Sequence, residues 1–129
     1  MSKINGNWYS LPAARIFEQD HAEWRRARTQ EPTMTWSDAS PHTRNAYQLA
    51  VDLASTYNYL SHKGRLPAKL PSECTPSGFY YAAVESRDRQ VGLQRDMLDV
   101  PAYSELSPFS QFIYSRIAKR LREIADDQL

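Results

Sequence analysis

The side chains able to do chemistry are present, but their spacing does not assemble a reaction. His21-Ala22-Glu23 has the His-x-Glu order that, with a later Pro-Cys-x-x-Cys, holds a catalytic zinc and its general acid. Pro71-Ser72-Glu73-Cys74-Thr75-Pro76-Ser77 supplies one of the two cysteines, and Ser77 stands where the second belongs. Two protein ligands fall short of the three that a catalytic zinc takes. The alternating strands that such a site is built on are also missing from the pattern. His21, His42 and His62 show no i, i+4 pairing. Neither Gly-x-Ser-x-Gly nor the P-loop pattern occurs, and 4 glycines leave little material for a phosphate-cradling loop. Asp96 and Asp99 have the spacing of a solvated helix face, so no general acid or base is assigned. The expectation is a non-enzyme without metal or cofactor. His21 is expected at a solvent-facing or capping position of a charged helix, and His62 near a helix end that favours positive charge.

Two basic groups point instead to binding. One is Arg25, Arg26 and Arg28; the other is Arg116, Lys119, Arg120 and Arg122. If the first and last helices lie side by side, the groups merge into a patch suited to phosphates or to an acidic protein surface. The alternative is a solvated face balanced by Glu123, Asp126 and Asp127. Eight tyrosines add material for an interface, because tyrosine and arginine dominate interface hot spots. Tyr59, Tyr80 and Tyr81 matter most if exposed beside arginines. The candidate interface is Arg25, Arg28, Tyr80, Tyr81, Arg116 and Arg120.

The elements that must position these groups read as helices. A chain of 129 residues with 41% apolar and 24% charged residues has the size and composition of one globular domain. Such a chain buries roughly two thirds of its unfolded surface. The expected fold is all-α, a compact bundle of four to five helices spanning 1–129. Residues 1–11 form an arm and the proline-rich stretch 65–78 a connecting loop. Helices are expected from about Pro12 to Gln30, after the Ser40-Pro41 cap to Gly64, from Thr75-Pro76 or Ser77, and after Ser107-Pro108. A short helix through Leu93, Met97 and Leu98 precedes Pro101. Ala46, Ala50, Leu53, Tyr57 and Leu60 make the clearest apolar stripe. Trp24, Trp36, Leu53, Tyr57, Phe79, Ile113, Ile117 and Leu121 are assigned to the core. One cysteine excludes an internal disulfide, and no apolar run suits a signal peptide or a membrane span. The expected location is cytoplasmic.

The two clearest helix starts echo each other. Trp36-Ser37-Asp38-Ala39-Ser40-Pro41 matches Tyr103-Ser104-Glu105-Leu106-Ser107-Pro108, and the match continues through Tyr47 with Tyr114, Ala50 with Ile117 and Ala54 with Leu121. Duplication would give two related helix pairs; convergence on a good cap would give the same residues.

Ser40-Pro41, Thr43-Arg44 and Tyr47, followed by an apolar helix ending at Gly64, resemble the start of the core-binding domain of tyrosine recombinases. The Asp-Leu expected after the tyrosine is displaced to Asp52-Leu53, and the catalytic domain is absent. His21 and Trp24, with Val100-Pro101, Tyr103 and Glu105-Leu106-Ser107, resemble phage and bacterial proteins with ryanodine-receptor-type repeats, without their Gly-Trp-x-Tyr-Gly loop. The resemblances imply a phage or mobile-element origin. The function expected from the sequence is therefore a small interaction protein that binds and modulates or inhibits a host protein complex, such as a defence system. The alternative is a DNA-binding accessory module. A net charge of +1 speaks against binding driven mainly by phosphate attraction. No membrane partner is expected, and the apolar stripes would also serve a homodimer.

Overall fold

The computed structural model describes residues 11–26, 35–64, 71–90, 92 and 100–128. Among them there are four helices and no strand: α1 (Ala13–Arg26), α2 (Pro41–His62), α3 (Pro76–Gln90) and α4 (Pro108–Gln128). The protein is all-α, as its periodicity predicts. Arg28, residues 1–10 of the arm, residues 65–70 and the expected short helix through Leu93, Met97 and Leu98 lie outside the described residues.

Three of the four helices begin in the same way. Ser37-Asp38-Ala39-Ser40-Pro41, Ser72-Glu73-Cys74-Thr75-Pro76 and Ser104-Glu105-Leu106-Ser107-Pro108 share one order: serine, acid, apolar residue, hydroxyl cap, proline. Short 3-10 turns (Trp36–Asp38, Ser72–Cys74 and Tyr103–Glu105) lead into the caps. Ser40 Oγ accepts the Thr43 N–H at 3.1 Å, Thr75 Oγ1 accepts that of Gly78 at 3.1 Å, and Ser107 Oγ accepts that of Ser110 at 3.2 Å. Each cap satisfies an amide that the helix cannot, and each proline occupies the position where its missing N–H costs nothing. The echo therefore has a third member, which opens α3. The helix claims Pro76 to Gly78, so the connecting loop ends before residue 76.

α1 starts one residue later than expected, with the Pro12 carbonyl accepting the Arg15 and Ile16 amides at 2.9 and 3.3 Å. α2 ends at His62, and the turn that follows carries Gly64, whose φ of 65° is the left-handed conformation that favours glycine.

α4 packs against α2 and α3, and α1 lies across α2 and α4. The buried face of α2 carries Ala46, Tyr47, Ala50, Ala54 and Tyr57. It is turned slightly from the expected stripe, leaving Leu53 and Leu60 half-buried. Three alanines on that face let the neighbouring helices approach closely. Ile113, Ile117, Ala118, Leu121 and Ala125 answer them from α4, and Phe79, Tyr80, Ala83 and Val84 from α3. Trp24, Tyr57, Phe79, Ile113, Ile117 and Leu121 are core residues as assigned. Trp36 is only half-buried and meets Phe17 and Tyr47 edge-on.

Candidate functional site

The centre of the bundle is polar. Asp20 follows Ala13, Ile16 and Phe17 at helical spacing and precedes Trp24, so it falls on the buried face of α1. A carboxylate there needs partners, because an unpaired buried charge is strongly unfavourable. Arg120 of α4 supplies a two-pronged bond: its NH1 donates to Asp20 Oδ2 at 2.6 Å and its NH2 to Oδ1. Asp20 and Arg120 are each 1% exposed. The Tyr47 hydroxyl of α2 donates to Asp20 Oδ2 at 2.5 Å, and Arg116 Nε donates to Oδ1 at 3.4 Å. One carboxylate thus ties three helices. Burial first, and the Asp20 charge second, push the Tyr47 phenol well above its usual value, so it stays a donor.

This centre corrects the sequence reading of Arg120. It is a core residue, turned inward by Asp20, and not part of a surface. Tyr80 is likewise buried, with its hydroxyl donating to the Pro101 carbonyl at 2.9 Å and its ring against Tyr81, Tyr103 and Tyr114. Tyr81 is half-buried beside it. His21 is buried, not solvent-facing; it stacks on Phe17 and meets Phe109 edge-on. His62 is exposed in the last turn of α2, its Nδ1 2.8 Å from the Asn58 carbonyl oxygen. Cys74 is buried beneath the start of α3. Among the described residues no cluster of His, Cys, Asp or Glu is placed to hold a metal, and no helix is long and apolar enough to cross a membrane.

α1 and α4 do lie side by side, in opposite directions: Trp24 packs on Phe109 and Phe112 at 5.2 and 5.3 Å, while Asp20 meets Arg116 and Arg120. Of the second basic group, Arg120 is buried, and Lys119 lies seven residues beyond Phe112, about 10 Å along the helix. Arg116 stands beside the half-buried ring of Phe112, and Arg25, one residue after Trp24 on α1, is half-buried. The Arg116 guanidinium lies over the Phe112 ring at 5.9 Å and its side chain is 25% exposed.

No family model matches the chain, and no curated protein or solved structure is similar to it. Away from the α1–α4 edge, Tyr59 is 58% exposed on α2, with the Lys63 ammonium 5.8 Å from its ring centre; among the described residues no arginine lies against it.

A cleft of about 280 Å³ opens between the starts of α2 and α4, over α3. Ser40, His42 and Thr43 line it from α2, Leu106, Ser110 and Tyr114 from α4 and its approach, and Tyr80, Val84, Val100 and Pro101 from the remaining sides. Sequence reasoning passed over Asp20, Phe112 and the Thr43–Ser110–Tyr114 set. Asp20 was detectable as the one acid on an apolar stripe. The hydroxyls of the cleft carry no such signal, because capping alone explains serine and threonine at a helix start.

Proposed function

We propose that this chain is a small non-catalytic interaction protein that binds and modulates a larger host protein complex, using the edge where α1 meets the start of α4. The observation that carries this reading is the state of Arg116. Its Nε donates to Asp20, itself fixed in the core, and its guanidinium carbon stands 5.9 Å from the centre of the Phe112 ring. An arginine usually gives up rotamer freedom when it binds. Here much of that loss has already occurred, and the outer nitrogens remain to meet a carboxylate in forked geometry. Half-buried aromatic rings beside a fixed arginine have the chemistry of an interface hot spot. The expected partner surface is acidic with an apolar centre.

The test is capture of the tagged protein from lysate of its natural host, wild type beside Arg116→Gln, with nuclease-treated and untreated halves. A discrete protein that survives nuclease and is lost with Arg116→Gln supports the reading. Retention by Arg116→Gln rules out this edge. Nucleic acid, or partners lost on nuclease treatment, would replace the reading with DNA binding that weakens steeply with salt.

A further inference from the structure

We propose that the cleft between the starts of α2 and α4 is a binding site for a small carboxylic acid that carries one ring-sized apolar group. The donors come first. Ser40 Oγ donates to Thr43 Oγ1 at 3.0 Å while accepting the Thr43 amide, so the Thr43 hydroxyl proton is unspent. The α4 start repeats the arrangement, with Ser107 Oγ donating to Ser110 Oγ at 3.1 Å, and the Ser110 proton is unspent too. Both residues line the cleft.

Tyr114 supplies the third donor and the strongest clue. It is 7% exposed, it lines the cleft, and no described residue bonds its hydroxyl. The ring is buried, but the hydroxyl is not among the sealed-off unpartnered atoms, so its bonds go to whatever fills the cleft. Burial, with the neighbouring Tyr80, pushes its pKa up to about 12, so it offers a proton at neutral pH. Two donors in the first turns of two helices, where the backbone dipoles end positive, and a third from Tyr114 further along α4 suit a group made only of acceptors. Asp38 and Glu105, two residues before the caps, are exposed and do not line the cleft.

The remaining wall is apolar: Val84, Val100, Leu106 and the Tyr80 ring. An apolar cavity of about 150 Å³ takes benzene, so a cleft of about 280 Å³ has room for a ring and a short acid arm. The ring lies towards Val84 and Val100, and the carboxylate towards Tyr114, Thr43 and Ser110.

Titration calorimetry with N-acetyl-L-phenylalanine, its primary amide and acetate tests the proposal, alongside amide NMR shifts. The acid is expected to bind saturably, the amide roughly tenfold more weakly or worse, and acetate not measurably. Tyr114→Phe should weaken the acid by about tenfold without changing the melting temperature, because its hydroxyl has no internal partner. Thr43→Val should act in the same direction, and shifts should centre on Val84 and Ser110. Absence of saturable binding at millimolar acid, equal binding of acid and amide, undiminished binding by both variants, or shifts centred elsewhere would each overturn it.

Discussion

Replacing Asp20 by Asn removes one negative charge from the core and leaves its volume nearly unchanged. Arg120, 1% exposed, then has a buried guanidinium without its carboxylate, and the new amide group turns donors towards donors. Breaking one side of a buried ion pair costs about 3–5 kcal/mol. The upper part of that range is expected, because Tyr47 and Arg116 lose the same acceptor. The change is a large share of the roughly 5–15 kcal/mol that holds an ordinary domain together. With a urea dependence of about 2 kcal/mol per molar, the midpoint should fall by roughly 2 M. Urea unfolding followed by the helical circular dichroism signal measures it. A companion variant, Asp20→Leu with Arg120→Met and Tyr47→Phe, should recover most of the loss, since apolar replacements of whole buried pairs are often neutral or stabilising. The reasoning fails if Asp20→Asn unfolds within about 0.5 kcal/mol of wild type, or if the apolar triple variant is as unstable as the single one.

The echo-related tyrosines should separate: Tyr47→Phe strips a bond from a buried charge and should cost about 1–3 kcal/mol, while Tyr114→Phe should stay within about 0.5 kcal/mol of wild type, both by urea unfolding. Ser40→Ala, Thr75→Ala and Ser107→Ala should each cost about 1 kcal/mol in the same assay, and additively, because each cap is local. Gly78→Ala should destabilise by about 1–3 kcal/mol, against the gain of about 1 kcal/mol expected of alanine in a helix, because its Cβ would stand 1.9 Å from the Ser72 carbonyl oxygen; a rise in melting temperature would contradict this. Stability should fall as pH climbs past 10, because Tyr47, Tyr57, Tyr103 and Tyr114 all hold their protons above the usual value of 10.0. The unfolded chain releases those protons first, so alkali favours it; a melting temperature flat from neutral pH through pH 11 would count against that burial.

The helices were legible because their signals are local. Ser40-Pro41 and Ser107-Pro108 state a cap and a first turn within two residues, and Gly64 states an end. The face of α2 was less legible. Its apolar spacing admits two adjacent stripes, and only packing against α4 selects the one carrying Tyr47 and Ala54. The candidate site was least legible, because the direction of an arginine depends on what lies opposite. Arg116 and Arg120 sit four residues apart, yet one reaches the surface and the other is drawn inside by Asp20 from the far end of the chain. Arg25 is half-buried and Tyr80 is buried, and no periodicity distinguishes them.

The three self-contained helix starts bear on how fast the chain folds. A helix ordinarily begins against a steep nucleation penalty, with several residues fixed for one bond. Here proline and a hydroxyl cap settle that first turn within five residues, before any distant segment arrives. α2, α3 and α4 should therefore flicker into being in the unfolded chain. The last event should be the closing of Asp20 on Arg120, 100 residues away, after the helices have docked, because it needs the longest loop and the final expulsion of water. Substitutions at the caps should then slow folding, and substitutions at Asp20 should chiefly hasten unfolding.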